Sequence, residues 1–102
     1  MLGRGRFRDV VDRQLRLFEE DNRELFEEAA KADEAWTDAP REEAEERYGD
    51  YQLVVEAIGD ALTEIRDNYA SMLDETSADE YRAAFDRAAT KRFRRFAAAL
   101  GD

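Results

Sequence analysis

The chain of 102 residues carries 26 acidic side chains against 16 basic ones, which gives a net charge of −10 at neutral pH. It contains neither cysteine nor histidine. Disulfides, thiolate metal sites, a cysteine nucleophile and the commonest general base are therefore excluded. The length predicts a single domain over residues 1–102. Apolar runs fall far short of the roughly 20 residues that cross a bilayer, and we expect a cytoplasmic protein.

The first predicted helix covers about residues 6–36. Its apolar side chains recur in alternating steps of four and three residues, the spacing of helices that pack as coiled coils. Asn22 occupies one position of this apolar stripe, between Phe18 and Leu25. A buried asparagine fixes register and oligomeric state in coiled coils. Asn22 is therefore expected either to pair with its counterpart in a second copy or to lie at an exposed edge of the stripe.

Two further helices are predicted at about residues 40–73 and 78–100. Pro40 suits the first turn of the second helix, since its missing N–H has no partner there. Ser77 and Glu80 have the spacing of a capping box at the start of the third helix. Short connections between helices place consecutive helices antiparallel. The sequence thus predicts an all-α fold: three long amphipathic helices in an up-down-up antiparallel bundle with coiled-coil-like packing.

Charge is unevenly distributed along the chain. Residues 1–18 carry +3, residues 19–80 carry −17 and residues 81–102 carry +4. In an up-down-up bundle each basic end lies beside an acidic segment, which favours ion pairs within the molecule. Cations at the start of the first helix nevertheless oppose its dipole, so binding to an anionic partner is the alternative. The candidate residues for that role are Arg4, Arg6, Arg8, Arg92, Arg94 and Arg95.

No motif for catalysis, a metal or a cofactor is found. The acidic run of the first helix lacks the Glu-x-x-His pairs of di-iron bundles, and the acidic segment Asp74–Glu80 lacks the spacing of a calcium loop. The segment Lys91–Phe96 alternates basic and aromatic residues as nucleic-acid binders do, but Phe93 and Phe96 fall on the core stripe. We expect a protein that is not an enzyme and binds neither metal nor cofactor.

The third predicted helix spans only ~35 Å, whereas the first two span roughly 45 and 50 Å. It cannot cover the whole groove between them, and exposed apolar surface of this kind typically marks an interface. We therefore predict a protein–protein interaction or scaffold module that forms a homodimer through apolar helix faces, with another protein as a second kind of partner. The alternative is an anionic-surface binder, although the net charge disfavours both nucleic acid and membrane. The candidate interface residues are Phe18, Asn22, Leu25, Phe26, Trp36, Tyr48, Tyr51 and Val54.

Overall fold

The computed structural model describes residues 5–96, and this part of the chain is all-α without any strand. The predicted fold class is confirmed, but the predicted count of three helices is wrong. No helix among the described residues combines the length and the apolar character that crossing a membrane requires. There are four α-helices in this range, followed by one turn of 3₁₀-helix at Arg94–Phe96: α1 is Arg8–Asp21, α2 is Arg23–Thr37, α3 is Arg41–Ala70 and α4 is Glu75–Arg92.

The extra helix arises because the first predicted helix breaks at Asn22. This residue has φ −118° and ψ 32°, outside the helical region. Its backbone N–H donates to the carbonyl of Phe18 at 3.0 Å, and its side-chain amide donates to the same oxygen at 2.9 Å. Asparagine and aspartate bond readily to nearby backbone groups, and Asp21 directly precedes Asn22. The half-buried Asn22 amide is therefore used within its own chain.

Helix α4 begins three residues earlier than predicted, because Asp74 is its N-cap. The Asp74 carboxylate accepts the backbone N–H of Ser77 at 2.8 Å and the Ser77 hydroxyl at 3.3 Å. These hydrogen bonds hold the pKa of Asp74 below its usual value. The predicted capping box at Ser77 is wrong, since Ser77 is a buried donor within the first turn. The predicted end of this helix near residue 100 is wrong, because α4 ends at Arg92 and Phe93 has a non-helical backbone with φ −111° and ψ 46°.

Side-chain contacts fix the relative directions of the helices. Arg6 contacts Glu80 near the start of α1 and α4, and Glu19 contacts Arg92 near their ends, so these two helices run parallel. The most extensive packing joins the antiparallel helices α2 and α3. Charged side chains also link α3 to α4, with two arginines and two aspartates in one network: Arg66 contacts Asp67 and Asp86, each at 2.9 Å, and Arg82 contacts Asp67 at 3.5 Å.

Tyr81 is the largest fully buried side chain and lies where α1, α3 and α4 meet. Its ring centroid is 5.6 Å from that of Phe7 and 4.6 Å from that of Tyr69. Its hydroxyl donates to Oε1 of Gln14 at 2.7 Å, which satisfies the polar group inside the core. Burial raises the pKa of Tyr81 to about 12.

Three phenylalanines pack under the break between α1 and α2. In a straight helix Phe18 and Phe26, eight residues apart, are separated by roughly 12 Å along the axis, yet their ring centroids are 5.7 Å apart. Phe93, just after α4, completes the group, with its ring centroid 5.2 Å from Phe26 and 6.3 Å from Phe18. We call Phe18, Phe26 and Phe93 the break cluster, since it joins α1, α2 and the end of α4.

Candidate interaction surfaces

The eight candidate interface residues do not share one surface. Phe18 is only 4% exposed and belongs to the break cluster, so it is not available to a partner. Asn22 and Leu25 are half-buried and line a shallow, mostly acidic cleft at the break. Phe26 lines a different cleft. The remaining four candidates, Trp36, Tyr48, Tyr51 and Val54, lie on the hairpin formed by α2 and α3.

Three aromatic residues pack together near the turn between α2 and α3. The Trp36 ring centroid lies 4.9 Å from that of Tyr48 and 6.2 Å from that of Tyr51. Trp36 and Tyr48 are exposed, whereas Tyr51 is half-buried and donates its hydroxyl to the backbone carbonyl of Arg95 at 3.4 Å. Burial, together with the charge of Asp33, raises the pKa of Tyr51. Helix α4 has 18 residues against 30 in α3, and this shorter length leaves part of the aromatic group uncovered.

A groove of about 450 Å³ runs between α2 and α3. Leu53 lines it and is 67% exposed, far more than an apolar side chain in the core. Leu53 is not among the eight candidate interface residues, although Leu53, Val54 and Val55 are consecutive, and three consecutive residues cannot all face the same side of a helix. We call this surface the hairpin groove; its lining residues are Glu28, Lys31, Ala32, Ala35, Arg47, Asp50, Leu53 and Val54.

The hairpin groove carries no net charge, in contrast to the rest of the molecule. Glu28 and Lys31 come from α2, and Arg47 and Asp50 come from α3, so two acids face two bases. Arg47 is 3.7 Å from both Asp50 and Glu43. Glu28 and Lys31 form no ion pair with any residue in the range 5–96. The groove therefore offers an exposed leucine together with unpaired charges of both signs.

Three of the six candidate arginines at the two basic ends form ion pairs with other described residues. Arg4 lies outside the described residues. The guanidinium of Arg6 lies 4.9 Å from the ring centroid of Phe7. Arg8 and Arg94 are exposed and form no ion pair with the described residues. The charge layout predicted internal pairing of this kind. The observed ion pairs are Arg6 with Glu80 at 3.3 Å, Arg92 with Glu19 at 2.9 Å, and Arg95 with Asp33.

Acidic side chains are numerous, but within residues 5–96 no group of three or more is arranged to hold a metal ion. The acidic run of α1 and α2 is largely exposed to solvent. Comparison with protein-family models, with curated proteins and with solved structures gives no match to this chain. The fold and its surfaces define the class of protein: a small, acidic, all-α protein whose distinguishing features are exposed helix faces.

Proposed function

We propose that this protein is a small cytoplasmic interaction module that forms a homodimer through the hairpin groove. The observation that carries the proposal is the exposure of Leu53 in a groove of zero net charge. Two copies that each carry −10 repel one another over most of their surfaces. A neutral apolar groove is where that repulsion is least and where burial of apolar surface stabilises contact.

A two-fold arrangement suits the composition of this groove. In such a dimer the same surface of both copies is used, and each contact occurs twice. Leu53 then enters the partner's groove, and the unpaired Glu28 and Lys31 have opposite charges available on the second copy. Full burial of a leucine contributes about 1.5–3 kcal/mol, so two Leu53 side chains, each two-thirds exposed, contribute about 2–4 kcal/mol. Two hairpins side by side form a four-helix arrangement with coiled-coil-like packing.

Light scattering coupled to size exclusion, at about 0.15 M and at about 0.5 M salt, tests this proposal. The Debye screening length at the higher salt concentration is about half that at the lower one. We expect a dimer under both conditions, with tighter association at high salt because the repulsion between acidic copies is screened. A monomer under both conditions at micromolar concentration would overturn the proposal.

A matched pair of variants tests the surface itself. Leu53→Glu places a charge in the groove and is expected to weaken the dimer about thirtyfold or more, which corresponds to a loss of about 2 kcal/mol. Met72→Glu makes the same change at a residue that is 73% exposed and outside the groove, and should leave the dimer intact. Circular dichroism checks that both variants keep their helices. Equal weakening by the two variants would place the interface elsewhere.

A further inference from the structure

Three cations line one cleft between α1 and α4. Arg8 comes from α1, whereas Arg87 and Lys91 come from α4, and the cleft has a volume of about 530 Å³. All three are exposed, and none forms an ion pair with a described residue. Asp12 is the one acid that lines the cleft. The cleft therefore carries +2 on a molecule whose net charge is −10.

The positions of these cations oppose local electrostatics. Arg8 is the first residue of α1, where the helix dipole disfavours a positive charge. Arg6 occupies a comparable position but is compensated by Glu80 and by the ring of Phe7. Arg87 and Lys91 are four residues apart on one helix, a spacing at which like charges repel. The helix dipole favours Lys91, which lies in the last turn of α4, so an anion bound from outside would relieve the placement of Arg8 and the repulsion between Arg87 and Lys91.

The floor of the cleft consists of short apolar side chains. Val11 is fully buried, and the half-buried Ala84 and Ala88 present only methyl groups. Small side chains allow the backbone of a third helix to approach closely along the groove between two packed helices. Apolar residues of that helix would rest on the alanines, while its acidic side chains reach Arg8 on one wall and Lys91 on the other.

We propose that the cleft between α1 and α4 binds an acidic amphipathic helix of a partner protein. The local charge of the cleft is complementary to the acidic side chains of such a helix and sets its orientation, and recognition in a groove between helices is a recurrent mode. Nucleic acid fits less well, because none of the described residues that line the cleft is aromatic and could stack on a base. This cleft shares no lining residue with the hairpin groove, and the proposal does not depend on the proposed dimer.

Fluorescence anisotropy with a designed helical peptide tests the proposal. The probe peptide has about four turns, an alanine and leucine stripe on one face and glutamates on both flanks; the control peptide carries glutamine in place of each glutamate. We expect the glutamate peptide to bind at least about tenfold more tightly than the glutamine peptide, with affinity falling as salt rises. No difference between the two peptides would overturn the proposal.

Charge-matched variants locate the binding site. The triple variant Arg8→Gln, Arg87→Gln and Lys91→Gln is expected to bind about tenfold to a hundredfold more weakly, since each exposed ion pair accounts for about twofold to fivefold. Leu53→Glu should bind the peptide as the wild type does. A control triple makes the same change in net charge at three exposed arginines that lie outside the cleft and form no ion pair with the described residues. These substitutions are Arg13→Gln, Arg23→Gln and Arg41→Gln.

The outcomes separate a specific site from general attraction. Full binding by the control triple and weak binding by the cleft triple would support the proposal. Equal losses in the two triples would overturn it, since only net charge would then matter. A DNA duplex that bound more tightly than the glutamate peptide, and lost binding in the cleft triple, would also overturn it and identify a phosphate polymer as the ligand.

Discussion

Replacing Phe93 by alanine tests the break cluster directly. Phe93 is buried between Phe18 and Phe26, with ring centroids at 6.3 and 5.2 Å. Deleting a buried phenylalanine side chain typically lowers the free energy of unfolding by about 3–5 kcal/mol. Because Phe26 is only half-buried and the cluster lies near the end of α4, the site can partly collapse, and we expect about 3 kcal/mol. For a domain of this size that loss lowers Tm by about 12–24 °C.

Urea denaturation followed by circular dichroism measures the effect of Phe93→Ala. The control is Leu17→Ala, which removes an apolar side chain that is 40% exposed on α1, and should cost less than about 1.5 kcal/mol. If Phe93→Ala were no more destabilising than Leu17→Ala, the break cluster would not hold the helices together. The alternating basic and aromatic residues of Lys91–Phe96 would then be better explained as a nucleic-acid-binding segment.

Three further predictions concern hydrogen bonds and titration. Tyr81→Phe should cost about 1 kcal/mol through loss of the bond to Gln14 and should remove the tyrosine step near pH 12 in a spectrophotometric titration; survival of that step would contradict the assignment. The pKa values of Asp67 and Asp74 lie below 3.8 in the folded state, so their stabilising contribution is complete above pH 3.8 and lost as the pH falls through those lower values. The urea concentration at the midpoint of unfolding should therefore fall as the pH is lowered below 3.8, and a midpoint that does not change with pH would refute this. Asn22→Ala loses one hydrogen bond but gains helix propensity, so stability should change by less than about 1 kcal/mol, and spin-label distances across the break should stay the same; a longer distance would show a straightened helix.

The sequence allowed the helical class and most helix boundaries to be predicted, because these depend on local chemistry. Helix α3 was predicted at residues 40–73 and is found at Arg41–Ala70. The break at Asn22 was missed because the apolar stripe continues in phase through this residue. A stripe shows which side of a segment is apolar, but it does not show whether the backbone stays straight. The break brings Phe18 against Phe26 and is accompanied by one side-chain hydrogen bond of Asn22, and neither contact can be read from the stripe.

The candidate surfaces were predictable only in part. The exposure of Trp36 and Tyr48 was predictable because the last helix is too short to cover the whole groove, and helix lengths can be estimated from the sequence. Phe18 was expected at an interface but is buried, because an apolar stripe does not show which neighbour covers each of its residues. Within residues 5–96 Arg87 and Lys91 form no ion pair, which could not be predicted because it depends on which acids the packed helices bring within reach.

The two proposed surfaces should respond to salt in opposite directions. At the hairpin groove, association of two acidic molecules works against their mutual repulsion, so screening strengthens the dimer. At the cleft between α1 and α4, attraction between opposite charges contributes to binding, so screening weakens it. A single salt series that follows both self-association and peptide binding therefore distinguishes the surfaces without any mutation. If both equilibria moved in the same direction, the distinction between a neutral groove and a basic cleft would be refuted.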